Sequence, residues 1–107
     1  MHKSYENVGT FVWHSLTHSV TVCRDYLGYS ESGMPYVVDH FQLNVFDVNG
    51  NQVKSPLTET GYRSYMISRR SEHYDGTTHC DKPTSNEEFL SSLKLKLGDE
   101  PQQKELF

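Results

Sequence analysis

Six histidines and two cysteines fall within 107 residues, and one group of them has the chemistry of a metal site. His73, His79 and Cys80 lie close in sequence, and Cys23 or His40 could join them through the fold. Zinc accepts such a mixture of imidazole nitrogen and thiolate sulfur. The spacing His73-x5-His79-Cys80 matches no recognised ligand pattern, and no Cys-x-x-Cys pair anchors it. Polar loop histidines beside a half-buried thiol are the simpler account. The run His79-Cys80-Asp81 also carries the residue types of nucleophilic catalysis. A nucleophile and its base must meet through the fold, however, and adjacency in sequence rarely gives that geometry. His14 and His18 would share a face in a helix, but in a strand they lie four residues apart along one edge. The sequence has no Gly-x-Ser-x-Gly elbow, glycine-rich phosphate loop or His-Glu-x-x-His pair. The expectation is a non-enzymatic protein without a cofactor. The alternative is a zinc- or thiol-dependent activity at His73, His79, Cys80 and Cys23.

Arg63, Arg69 and Arg70 interleave with Tyr62, Tyr65 and Tyr74 and make one basic-aromatic stretch. Guanidinium forks on phosphates, with tyrosines under bases, would suit nucleic acid. An edge strand guarded by charge explains the same residues. The formal charge of −4 favours the second account, because generic nucleic-acid binding needs a cationic surface. Tyr62, Arg63 and Tyr65 are therefore expected to form an exposed patch that meets a protein partner.

The tail Gln103-Lys-Glu-Leu-Phe107 resembles the bacterial sliding-clamp-binding peptide, commonly Gln-Leu-(Ser or Asp)-Leu-Phe. That resemblance implies Gln103 as the polar anchor, with Leu106 and Phe107 filling a hydrophobic cleft. Lys104 departs from the family's leucine. Two large apolar residues at the end of a polar tail have nothing local to bury against, which suits a peptide ligand. The other account is that they fold back on the protein's own sheet. Thr60-Gly-Tyr-Arg-Ser64 resembles a stretch of small accessory proteins carried by plasmids and phages, with Ser-Tyr-Met at 64–66 where those have Ser-His-Phe. The implication is an accessory protein of a mobile element that binds a host macromolecule, such as the sliding clamp or a defence component it inhibits.

Size and composition bound the fold that presents these residues. A length of 107 residues makes one domain with a modest core. The apolar fraction is 35%, low for a globular domain, and seven Tyr with five Phe compensate through the area each ring buries. No apolar run approaches membrane-spanning length, and the N-terminus carries no hydrophobic signal region, so a cytoplasmic protein with reduced thiols is expected.

Local patterns then place the elements. Phe41, Leu43 and Val45 alternate with Gln42 and Asn44, the period of a half-buried strand. Asn49-Gly50 supplies two residues tolerant of positive φ and predicts a tight hairpin, with a third strand running from Gly50 to near Pro56. The segment from Phe11 to Tyr29 reads as extended, with Val20, Val22 and Tyr26 on one side and Thr21, Cys23 and Asp25 on the other. Gly28 to Gly33 reads as a loop, and Tyr62 to Arg69 as a fourth strand with Arg63, Tyr65 and Ile67 opposite Tyr62, Ser64 and Met66. A polar loop spans Arg69 to Pro83. Ser85-Asn-Glu-Glu88 is a capping box ahead of a helix with Phe89, Leu90, Leu93 and Leu97 on one face, ended by Gly98. The expected class is α+β: a twisted antiparallel sheet of four or five strands with one C-terminal helix, residues 1–98 as a single domain and 99–107 as a flexible tail.

Overall fold

The computed structural model describes residues 4–81 and 85–98. Four strands form one antiparallel sheet in sequence order, β1 (Glu6–Trp13), β2 (Leu16–Cys23), β3 (Tyr36–Phe46) and β4 (Tyr62–Arg70), and α1 (Asn86–Leu97) follows them. The protein is thus a small α+β fold. No helix among the described residues is long and apolar enough to cross a membrane.

The segment expected to run extended from Phe11 instead contains a hairpin. Trp13 pairs with Leu16, leaving His14 (φ 49°) and Ser15 (φ 66°) as a two-residue turn. Positive φ at both central positions is the type I′ requirement, and its twist matches that of the flanking strands. The predicted third strand does not form. Gly50 takes the left-handed conformation (φ 84°) in a turn where Asp47 accepts from the amides of Asn49 and Asn51. Asn49 does not take a positive φ. Beyond the turn, pairing shrinks to a single bridge between Phe46 and Gln52. The physical reason lies in Val45: its carbonyl accepts from Val53 N, but its amide donates to Gly61 O. The segment between them is thereby released to fold over the sheet.

The bridge from Gly28 to Gly33 contains a short 3-10 turn at Tyr29–Ser32, with both glycines left-handed. The capping box forms as expected. Ser85 Oγ accepts from Glu88 N, and Glu88 returns the bond to Ser85 N. Gly98 ends the helix with φ 71°.

The helix and the 51–60 segment cover the same face. Phe89 stacks on Phe41 at 4.0 Å, and Tyr65 meets Phe89 edge-on. Leu90 lies against Gly9, where an added Cβ would stand 2.7 Å from Leu90 Cδ2. At the opposite end Leu57 completes the core of Val20, Val22, Phe41, Leu43, Val45, Phe89 and Leu93. Alternation of side chains along each strand thus gives the sheet a covered inner face and a distinct outer face.

Candidate functional site

The outer face is built in transverse rows fixed by strand register. One row reads Asn7, Thr21, Gln42, Ser64; the next reads Thr10, Ser19, Asn44, Tyr62; a third holds Val12, Thr17 and Phe46. No charged residue stands in these rows. Gln42 Nε2 donates to Tyr62 Oη across β3 and β4 (3.3 Å), and Gln52 Nε2 donates to Asn44 Oδ1 (2.8 Å). Tyr62 is 40% exposed, Met66 54% and Val12 68%. Within these rows the surface is polar and uncharged, and three large apolar groups stand on or beside them. Charge enters the face beyond the rows, at Arg70 on the same side of β4 and at Asp81, which accepts from Ser68.

At one end of this face a cap of aromatics covers His40, the β3 neighbour of Cys23. Tyr5 Oη and His40 Nδ1 share a 2.6 Å hydrogen bond, and the Tyr26 ring lies 4.6 Å from the imidazole. Burial, with Tyr26 and Cys23 nearby, raises the Tyr5 phenol above its ordinary value. Cys23 and His40 are themselves buried, so the thiol is shielded as a folded-in side chain.

On the inner face, Asp39 is the charged hub. It is 1% exposed and accepts from Arg24 Nη1 (2.9 Å), Arg69 Nε (2.7 Å), Arg69 Nη2 (3.2 Å) and the amide of Asp25 (3.0 Å). Burial pushes its carboxyl up, but the Arg69 bonds, the Asp25 amide, the Arg69 charge and Arg24 together hold it below the ordinary 3.8. Arg24 also donates to Asn86 Oδ1 at the start of α1, so the hub ties sheet to helix.

His18 is the other buried polar group on this face. Its Nδ1 donates to Leu16 O and its Nε2 accepts from Ser55 Oγ, both at 3.2 Å. Phe11 stacks on it at 4.8 Å, and burial lowers its pKa below 6.5. The order serine, imidazole, orienting carbonyl is that of a nucleophile and its base. Yet the ring is fully buried, and Ser55 Oγ also accepts from Leu57 N. The pair fastens the 51–60 segment to β2.

The residues singled out from sequence fall in different places. Tyr62 is on the outer face, whereas Arg63 and Tyr65 lie on the inner side, with Tyr65 half-buried against Phe89. They do not form one patch, because neighbours on a strand point in opposite directions. The three arginines are likewise not one cluster: Arg69 is bound to Asp39, Arg63 lies over Tyr65 and Arg70 lies over Tyr74. His73, His79 and Cys80 sit on the loop after β4. Among the described residues no three His, Cys, Asp or Glu residues assemble as a metal site. In that loop Asp75 accepts from the amides of Thr77 and Thr78, which draws its carboxyl down to about 2. Gln103, Leu106 and Phe107 lie outside the described residues.

Gln42 and Asn44 of β3 and Ser64 and Met66 of β4 form a surface whose sequence signal is the polar half of each strand's alternation. A cavity of about 310 Å3 opens at the Tyr62 end, lined by Ser55, Leu57, Thr58, Glu59, Tyr62 and Arg63 among others. Comparison with protein-family models, with curated proteins and with solved structures finds no match for this protein.

Proposed function

We propose that this protein is a small non-enzymatic protein-binding module, an accessory protein of a mobile element that engages a host protein in the cytosol through the outer face of its sheet. The observation that carries the reading is the one-sided covering. The helix, Val53 and Leu57 pack on the inner face, while Tyr62, Met66 and Val12 stay exposed on the other. Such a mixture of aromatic, methionine and neutral polar groups suits a protein contact. Phosphate binding would call for cations in the rows where this face has none. The accessory role rests on the likeness of Thr60 to Ser64 to plasmid- and phage-borne proteins, and the sliding-clamp reading of Gln103, Leu106 and Phe107 rests on the tail peptide alone.

Affinity capture from bacterial lysate tests the reading with three full-length proteins: the parent, the pair Ser64→Arg and Met66→Lys, and the pair Leu106→Ala and Phe107→Ala. A host protein retained by the parent and lost with the first pair supports the face. Loss only with the second pair moves the contact to the tail, and purified clamp then serves as the defined partner. Equal capture by all three contradicts both locations.

A further inference from the structure

Arg24 and Arg69 both bind Asp39, whereas Arg63 makes no ion pair among the described residues. Its Nη1 reaches Leu57 O only at 3.5 Å, and its guanidinium lies 5.0 Å from the Tyr65 ring centre. It lines the 310 Å3 cavity with Ser55, Thr58, Glu59 and Tyr62. The rest of that lining is already fixed. Ser55 and Thr58 exchange backbone bonds of 2.9 and 3.1 Å, and Thr58 Oγ1 and Thr60 Oγ1 both donate to Tyr62 O. Gly61 closes the loop at φ 89°, and a Cβ there would stand 3.0 Å from Val53 N. This is a preorganised pocket whose one cation, held by the Leu57 carbonyl and the Tyr65 ring, has no carboxylate partner among the described residues.

We infer that the cavity at Ser55–Arg63 seats a single carboxylate of a peptide partner, paired with the Arg63 guanidinium. A planar guanidinium matches a carboxylate in a two-point contact. Glu59 on the same lining biases the choice of anion, because its repulsion scales with charge and weighs about twice as heavily on a dianionic phosphate as on a carboxylate. The volume lies at the small end of ligand sites, which run from about 300 to 1,000 Å3, and so fits one short residue. The Tyr62 edge joins the cavity to the outer face, so the proposal rests on the protein-binding reading. The carboxylate is either the free C-terminus of a peptide or an acidic residue within it.

Nitrogen-15 NMR titration of the full-length protein with small probes separates these sources. N-acetyl-leucine presents a C-terminal carboxylate, N-acetylglutamate α-methylamide a γ-carboxylate, N-acetyl-leucinamide no charge, and inorganic phosphate the competing anion. Saturable shifts confined to Thr58–Arg63 with one of the carboxylates, about tenfold weaker or more with the neutral amide, are expected for a charge-assisted contact. Arg63→Gln should abolish them while the resonances of β1, β2 and α1 stay in place. Glu59→Gln should improve carboxylate binding and improve phosphate binding by a larger factor. Three results overturn the inference: no saturable shift with either carboxylate, tighter binding of phosphate to the parent, or unchanged binding by Arg63→Gln. Such a failure leaves the outer face standing, because its test uses Ser64 and Met66.

Discussion

Val37, Asp39, Phe41, Leu43 and Val45 project from β3 to the covered side of the sheet, while Val38, His40, Gln42, Asn44 and Phe46 project from the same backbone to the other. The first set is buried throughout. It contains one ion, and that ion has its counter-charges in Arg24 and Arg69. The second set keeps Gln42 and Asn44 half-exposed in rows of hydroxyls and amides, and Tyr5 and Tyr26 close over His40 at one end. A strand whose two sides differ this much assigns stability to one side and leaves the other available for recognition. Substitutions on the inner face should therefore be read as losses of folding, and those on the outer face as losses of binding.

The largest effect is expected at Phe41, whose ring is fully buried, stacks on Phe89 and lies under the Arg24 guanidinium. Phe41→Ala should cost about 3–5 kcal/mol through lost transfer energy and the cavity left behind, measured as the shift in a urea unfolding midpoint. A cost below about 1 kcal/mol, the range of an ordinary surface change, would break the distinction between the faces.

Asp39 comes next. Asp39→Asn leaves two arginines without their carboxylate. Both arginine side chains are about a third exposed, so solvent moderates the loss to about 2 kcal/mol, below the cost of breaking a fully buried pair. The pH dependence follows from the direction of the shift. The folded pKa of Asp39 lies below its ordinary 3.8, so the ionised carboxyl stabilises the fold above that value. That contribution is lost as pH falls through the folded value. His18 acts earlier on the same descent. Its folded pKa is below 6.5, so its neutral form stabilises the fold above pH 6.5, and this share is lost as pH falls toward the folded value. Urea melts at stepped pH should show two components in the parent, with the lower one missing from Asp39→Asn.

How much of the fold and its sites was legible in the sequence depended on how far apart the deciding atoms lie. The Ser85–Glu88 box and the Leu90, Leu93, Leu97 stripe are settled within one or two helical turns, and both stand as read. The β1–β2 turn was hidden because neither His14 nor Ser15 is the Asn, Asp or Gly that a type I′ turn favours, and it is strand pairing that holds them at positive φ. The strand expected after Gly50 failed on a competition invisible in sequence, in which Gly61 O takes the Val45 amide. Arg69 read as a surface cation because its partner stands 30 residues away on β3. The cavity beside Tyr62 needed that same long-range closure before it existed.

A smaller effect is expected at Gly50. Its φ of 84° is strained for a branched side chain, yet nothing lies within 4 Å of an added Cβ. Gly50→Val should therefore cost about 1 kcal/mol from backbone strain alone, with no steric addition. A cost as large as that of Phe41→Ala would mean that the turn anchors the 51–60 segment over the core.

The smallest change in stability should come from the outer face, and it sharpens the comparison most. Ser64 and Met66 are exposed on β4 and pair across the sheet with Gln42 and His40. Ser64→Arg with Met66→Lys adds two cations to rows that hold no charge, while removing no buried contact. Exposed substitutions away from caps and buried networks usually stay within about 0.5 kcal/mol, so the urea midpoint should hold. Partner capture should nevertheless fall, because a charge set against an apolar contact must be desolvated without a counter-ion. If the pair unfolds the protein, Met66 belongs to the folding side of the comparison and the outer face is no free surface. If stability and capture are both unchanged, the face is free but unused, and recognition passes to the Arg63 cavity or the tail.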